Sequence, residues 1–124
     1  VEDKRKTVAV LGASDKEDRY SNRAIKLLLR HNHRVIPVHP RLSSIAGLQV
    51  VPDLPSINEP VHTLTIYLTP ARQKALYQNI IDMGPQRVIF NPGTENPEFE
   101  KTLRQQNIEC VRSCTLVMLH SGQF

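Results

Sequence analysis

The sequence predicts an α/β fold: a doubly wound, mostly parallel sheet of five to six strands with helices on both faces, three layers in all. Three observations lead there. Short apolar or β-branched runs alternate with amphipathic stretches, and no hairpin signal joins consecutive runs. The first run, Val8-Ala9-Val10-Leu11, is apolar throughout, as suits a strand buried on both faces of a parallel sheet. With 124 residues the chain reads as one domain over 1–124, large enough for a single core and too short for a separate catalytic domain.

Residues 1–6 are charged and read as a solvated lead-in. After the strand at 8–11, Gly12-Ala13-Ser14 makes a small-residue turn, and a helix is entered near Arg19 to Asn22. Ala24, Ile25, Leu28 and Leu29 recur at spacings of three and four, which buries one face and leaves Lys26 and Arg30 outside. His31-Asn32-His33 ends that helix. Residues 34–40 form the second strand, where Pro37 lacks a ladder donor and predicts a bulge or a short ladder. Residues 47–51 read as a short extended piece at the sheet edge, followed by a proline-bearing linker to Pro60.

The run 63–68 has strand composition, and Thr69-Pro70 then supplies an N-cap with proline at the first helical position. A helix over 71–83 follows, with Ala75, Leu76, Ile80 and Met83 inside and Gly84-Pro85 as its stop. Residues 88–90 are the next strand and 91–95 its turn. Asn96-Pro97-Glu98 opens another helix, with Phe99 and Leu103 on one face and its end at Asn107. Residues 108–111 give the last strand. The apolar tail at 114–119 packs on the body or on another subunit, which leaves a homodimer open.

Right-handed crossovers put every strand-to-helix turn on one edge of such a sheet, and ligands bind there, where strand order reverses. Residues 12–21, 39–41, 68–71 and 91–95 therefore converge. A small-residue turn running into a helix N-terminus suits phosphate. The fingerprint G-x-G-x-x-G fails, because Ser14 and Glu17 stand where its second and third glycines would, so a standard NAD pose is disfavoured. The second strand ends in His39-Pro40-Arg41 rather than in an acid. A cation there suits a phosphorylated ribose, at the 2′ position in NADP or the 3′ position in coenzyme A.

The formal charge of +4 is scattered apart from Lys4-Arg5-Lys6, with no aromatic-studded basic face. That points to a small anionic nucleotide ligand and away from nucleic acid. No apolar stretch is long enough for a membrane span, and no secretory signal opens the chain. Cys110 and Cys114 are too few for a disulfide scaffold, so a cytoplasmic location with two free thiols is expected. The five histidines are too dispersed for a shared metal site.

Gly12-Ala13-Ser14, Arg19-Tyr20-Ser21, Val35-Ile36-Pro37-Val38 with Pro40, Gly47, and Phe90-Asn91-Pro92-Gly93 together resemble the small stand-alone CoA-binding proteins. These are similar in fold to the CoA-binding domain of the succinyl-CoA synthetase alpha subunit. The resemblance implies a Rossmann-like sheet that binds coenzyme A or acyl-CoA without catalysis of its own. It implies that Gly12, Ala13, Ser14, Arg19, Tyr20 and Ser21 hold the pyrophosphate region. It sets Pro40 and Arg41, next to His39, by the ribose phosphate and adenine, and Thr69 and Pro70 by the other side of the nucleotide. Asn91 and Gly93 would close the pocket. Two positions depart from the family pattern: His39 stands where asparagine is common, and Asn91-Pro92 replaces an aromatic-x-glutamine pattern. The alternative is an NADP- or CoA-dependent enzyme, or a subunit of one, that draws catalytic groups from His39, Cys114 or a partner chain.

Overall fold

The computed structural model describes residues 4–124, so the first three residues of the charged lead-in lie outside the described residues. Five parallel strands form the sheet: β1 (Thr7–Leu11), β2 (Arg34–Val38), β5 (Thr63–Ile66), β6 (Arg87–Phe90) and β7 (Glu109–Arg112), in the order β2-β1-β5-β6-β7. Strand order reverses between β1 and β5, the position at which a doubly wound sheet opens a crevice.

Alternation along the strands separates the two faces. Val8 and Val10 point to one core with Ile25 and Leu28 of α1 (Tyr20–Arg30) and Leu119 of α5 (Thr115–His120). Ala9, Leu11, Leu64, Ile66, Val88 and Phe90 point to the other, against Ile80 of α3 (Tyr77–Met83) and Phe99 and Leu103 of α4 (Pro97–Gln105). Tyr77 stacks on Phe99 at 4.0 Å between ring centroids, and Phe90 meets Phe99 edge-on at 6.4 Å. The tail expected to pack on the body or on another subunit forms α5, and its Leu119 joins the core beside Ile25 and Leu28.

Three departures from the sequence reading have physical causes. First, β2 runs in unbroken register with β1 despite Pro37. Pro37 O accepts from Val51 N and His39 N donates to Val51 O, so the backbone groups of odd-numbered residues face the outer edge, and the donor that proline lacks is one β1 never needed. Second, residues 47–51 add no sixth strand. β3 (Ser44–Ile45) and β4 (Leu48–Gln49) form a small antiparallel hairpin, and only Val51 bridges β2, at Val38. Ala46 and Gly47 both have positive φ, 52° and 78°, as a two-residue type I′ turn requires.

Third, the helix expected over 71–83 is split into α2 (Pro70–Gln73), a 3-10 turn at 74–76 and α3. The tighter turn shifts the phase, so Gln73 is fully buried and Ala75, expected inside, is exposed.

At the opposite edge from the crevice, His33 Nδ1 accepts the Lys6 amide at 3.0 Å, and His62 Nδ1 lies 2.7 Å from Thr63 Oγ1. Burial holds both imidazoles below their usual range. The charge of Lys6 adds to this at His33, and those of Arg87 and Lys6 at His62, where Glu109 opposes them. As pH falls through 6.5 the unfolded chain takes up these protons before the folded one, so stability declines from neutral pH downward and is regained above 6.5. The melting temperature should therefore drop between pH 7.5 and 5.5, and His33→Asn with His62→Asn should flatten that slope. An unchanged slope in the double variant would assign the decline to other groups.

Candidate functional site

The carboxyl ends of β1, β2, β5 and β6 surround a cavity of about 980 Å³. Its floor is set by Gly12, whose φ is +85° and where a Cβ would lie 3.0 Å from Leu68 Cδ2 and 3.1 Å from the Tyr67 carbonyl carbon. Glycine is required here by the close approach of the ends of β1 and β5. Ala13 N then donates to Val38 O, tying the turn to β2. Asn22 Nδ2 donates to Ser14 O at 2.9 Å and the Lys16 amide to Ser14 Oγ at 3.1 Å, which folds the loop back onto α1. No side chain caps α1 at Arg19. The first-turn amides are thereby left to solvent or ligand, at the positive end of the helix dipole.

The end of β2 is shaped by His39. Its Nδ1 accepts from the amides of both Arg41, at 3.0 Å, and Leu42, at 3.1 Å. An asparagine side-chain carbonyl can accept the same two amides, so the imidazole serves here as the turn's acceptor. With Nδ1 accepting, the proton of the neutral ring belongs on Nε2.

Behind the wall stands a frame of buried amides. Gln73 Nε2 donates to Leu68 O and Thr94 O, and Gln73 Oε1 accepts from Asn96 Nδ2, so one side chain holds the ends of β5 and β6 and the start of α4. Asn91 does the same on the other face. Its Nδ2 donates to Thr65 Oγ1 and Ile66 O, and its Oδ1 accepts from the Thr115 amide at the start of α5. Tyr67 leans into this region from the cavity side. Burial pushes its phenol up to about 12, against the opposing pull of the Thr115 and Thr65 side chains, and its buried oxygen has no well-formed hydrogen bond.

Of the residues singled out from the sequence, Gly12, Ala13, Ser14, Arg19, Tyr20, Ser21, His39, Pro40, Arg41, Thr69 and Gly93 line this cavity. Pro70 and Asn91 do not: Pro70 begins α2, and Asn91 spends its amide on the frame. Gly93 reaches the wall with its amide already donated to Glu95 Oε1. Cys114 is the N-cap residue of α5 and is not on the wall. Sequence reasoning missed Lys16 and Arg72. Lys16 sits in the loop between strand and helix. Arg72 stands two residues after Pro70 in the turn already placed at this edge, which was the available signal.

Lys16, Arg19, Arg41 and Arg72 form no ion pair within the cavity or outside it among the described residues, whereas Arg34, Arg104 and Arg112 elsewhere pair with Glu59 or Glu100. The wall also carries Asp15 and Asp53, and Asp53 Oδ1 is occupied by the Ser56 amide and hydroxyl. Pro52, Leu54, Leu68, Leu76 and Pro92 add apolar surface to the wall. Among the described residues no group of three or more metal-ligating side chains is assembled, and no helix is long and apolar enough to cross a membrane.

Comparison with known proteins agrees with this architecture. A crystal structure of an uncharacterised protein is 41% identical, covers 98% of this chain and 100% of its own, and superposes with a TM-score of 0.93. A Thermus thermophilus structure, cell-free ID.343, is 31% identical over 97% of this chain and 91% of its own, with a TM-score of 0.88. The uncharacterised protein YneT of Bacillus subtilis is 21% identical over 116 residues, 94% of this chain and 86% of its own. The CoA binding domain family matches residues 6–120, and with nearly all of its length so matched the chain belongs to that family.

Proposed function

We propose that the cavity binds coenzyme A, free or acylated, as a binding site without chemistry of its own. The observation that carries this reading is the meeting of four unpaired cations, Lys16, Arg19, Arg41 and Arg72, at one cavity beside an uncapped helix N-terminus. Coenzyme A brings about four negative charges, divided between a 3′-phosphate and a diphosphate. Guanidinium groups meet such oxygens with paired, charge-assisted hydrogen bonds. A volume of about 980 Å³ is at the upper end for a small-molecule site and suits a long ligand.

In this reading the Gly12 to Ser14 turn, Arg19 and the first turn of α1 take the diphosphate, and Arg41 takes the 3′-phosphate. The apolar stretch at Leu54, Leu68 and Leu76 takes the pantetheine arm and any acyl group. A role without catalysis is supported by Cys114, which is off the wall.

Calorimetric titration with CoA, dephospho-CoA, NADP and NAD tests the reading. CoA should bind best, and dephospho-CoA about tenfold or more weakly, the loss expected when one charge-assisted contact is removed. Arg41→Ala should erase the difference between CoA and dephospho-CoA. Tighter binding of NADP than of CoA would replace this reading with the NADP alternative.

A further inference from the structure

We infer that Tyr20 is the platform on which the adenine ring of the ligand stacks, with the Arg23 guanidinium on the opposite face of the phenol ring. The inference rests on the reading of the cavity as a CoA site and moves the base from beside Pro40 and Arg41, where the resemblance sets it, onto Tyr20. Tyr20 lines the cavity yet is 65% exposed, one of two large hydrophobic side chains so displayed among the described residues. A ring of that size usually seeks the core.

Arg23, one helical turn on, holds its Cζ 5.6 Å from the Tyr20 ring centroid. One face is thereby occupied and the ring's rotation restricted. Tyr67, the other tyrosine on the wall, is packed towards the core. A purine presents a flat π-face to any exposed aromatic ring, and stacking of this kind needs no base-specific hydrogen bond. Tyr20 follows Arg19 directly, so a base stacked on it leaves its phosphates within the cation cluster.

The test uses the whole chain and three ligands: CoA, adenosine 3′,5′-bisphosphate and 4′-phosphopantetheine, which lacks the base. Tyr20→Ala should weaken CoA and the bisphosphate by roughly tenfold to a hundredfold and leave phosphopantetheine unchanged. Tyr20→Phe should keep wild-type affinity. The chain has three tyrosines and no tryptophan, so its emission is tyrosine emission, with Tyr20 the exposed contributor. CoA should quench part of it in the wild type, and Tyr20→Phe should abolish that part while still binding. Equal CoA affinity in wild type and Tyr20→Ala would overturn the stacking alone, as would an equal loss for phosphopantetheine. Failure of the wild type to bind any of the three would overturn the CoA reading and this inference together.

Discussion

Gln73→Leu should destabilise the protein by about 3–4 kcal/mol, although it removes no volume to speak of and leaves the hydrophobic pattern improved. The side chain is fully buried and satisfies Leu68 O, Thr94 O and Asn96 Nδ2 at once. Leucine strands two carbonyls, each at a cost of about 1–3 kcal/mol, while Asn96 Nδ2 keeps its bond to the Tyr77 hydroxyl. For a chain of this length the melting temperature should fall by roughly 10–15 °C. Urea titration is the measurement: the midpoint should drop with the slope unchanged, since the surface exposed on unfolding is the same. Affinity for CoA should fall as well, because the 68 and 94 turns that lose their tie both form the cavity wall. A loss below about 1 kcal/mol would show that the carbonyls find other partners.

The double variant Arg19→Glu with Arg41→Glu should lower CoA affinity by about a thousandfold and leave the melting temperature where it is. Two charge-assisted contacts at about 1.5–3 kcal/mol each account for that factor, and the introduced carboxylates repel the phosphates further. Stability is spared because both side chains are exposed and neither forms an ion pair among the described residues. Wild-type binding should weaken steeply as salt is raised, with a shallower dependence in the double variant. A loss under tenfold would mean that the phosphates lie against other groups of the cavity.

The path from residues to fold was readable wherever apolar spacing decided it. The run at β1 and the three-and-four spacing of Ala24, Ile25 and Leu28 each placed an element without help from the rest of the chain. What spacing cannot encode is a buried amide. Gln73 carries no apolar signature, and its inward position depends on the 3-10 turn at 74–76 that breaks the helical phase. Asn91 closes the pocket only on the strength of the family resemblance; in the structure three buried groups on two neighbouring elements claim its amide. The hairpin at 44–49 escaped because Ala46 occupies a positive-φ position that Asn or Gly usually advertises. Most of the cavity wall was legible because crossover handedness alone brings strand ends together.

The position of Pro37 has a consequence for assembly. An open sheet invites foreign backbone at both margins. At the β2 margin, one outward donor is missing and the neighbouring outward groups of Pro37 and His39 are already taken by Val51. Templated growth of the sheet, whether into a paired complex or a fibre, is therefore discouraged on that side and left to β7, where Glu109 and Arg112 are exposed and the Arg112 guanidinium is already held by Glu100.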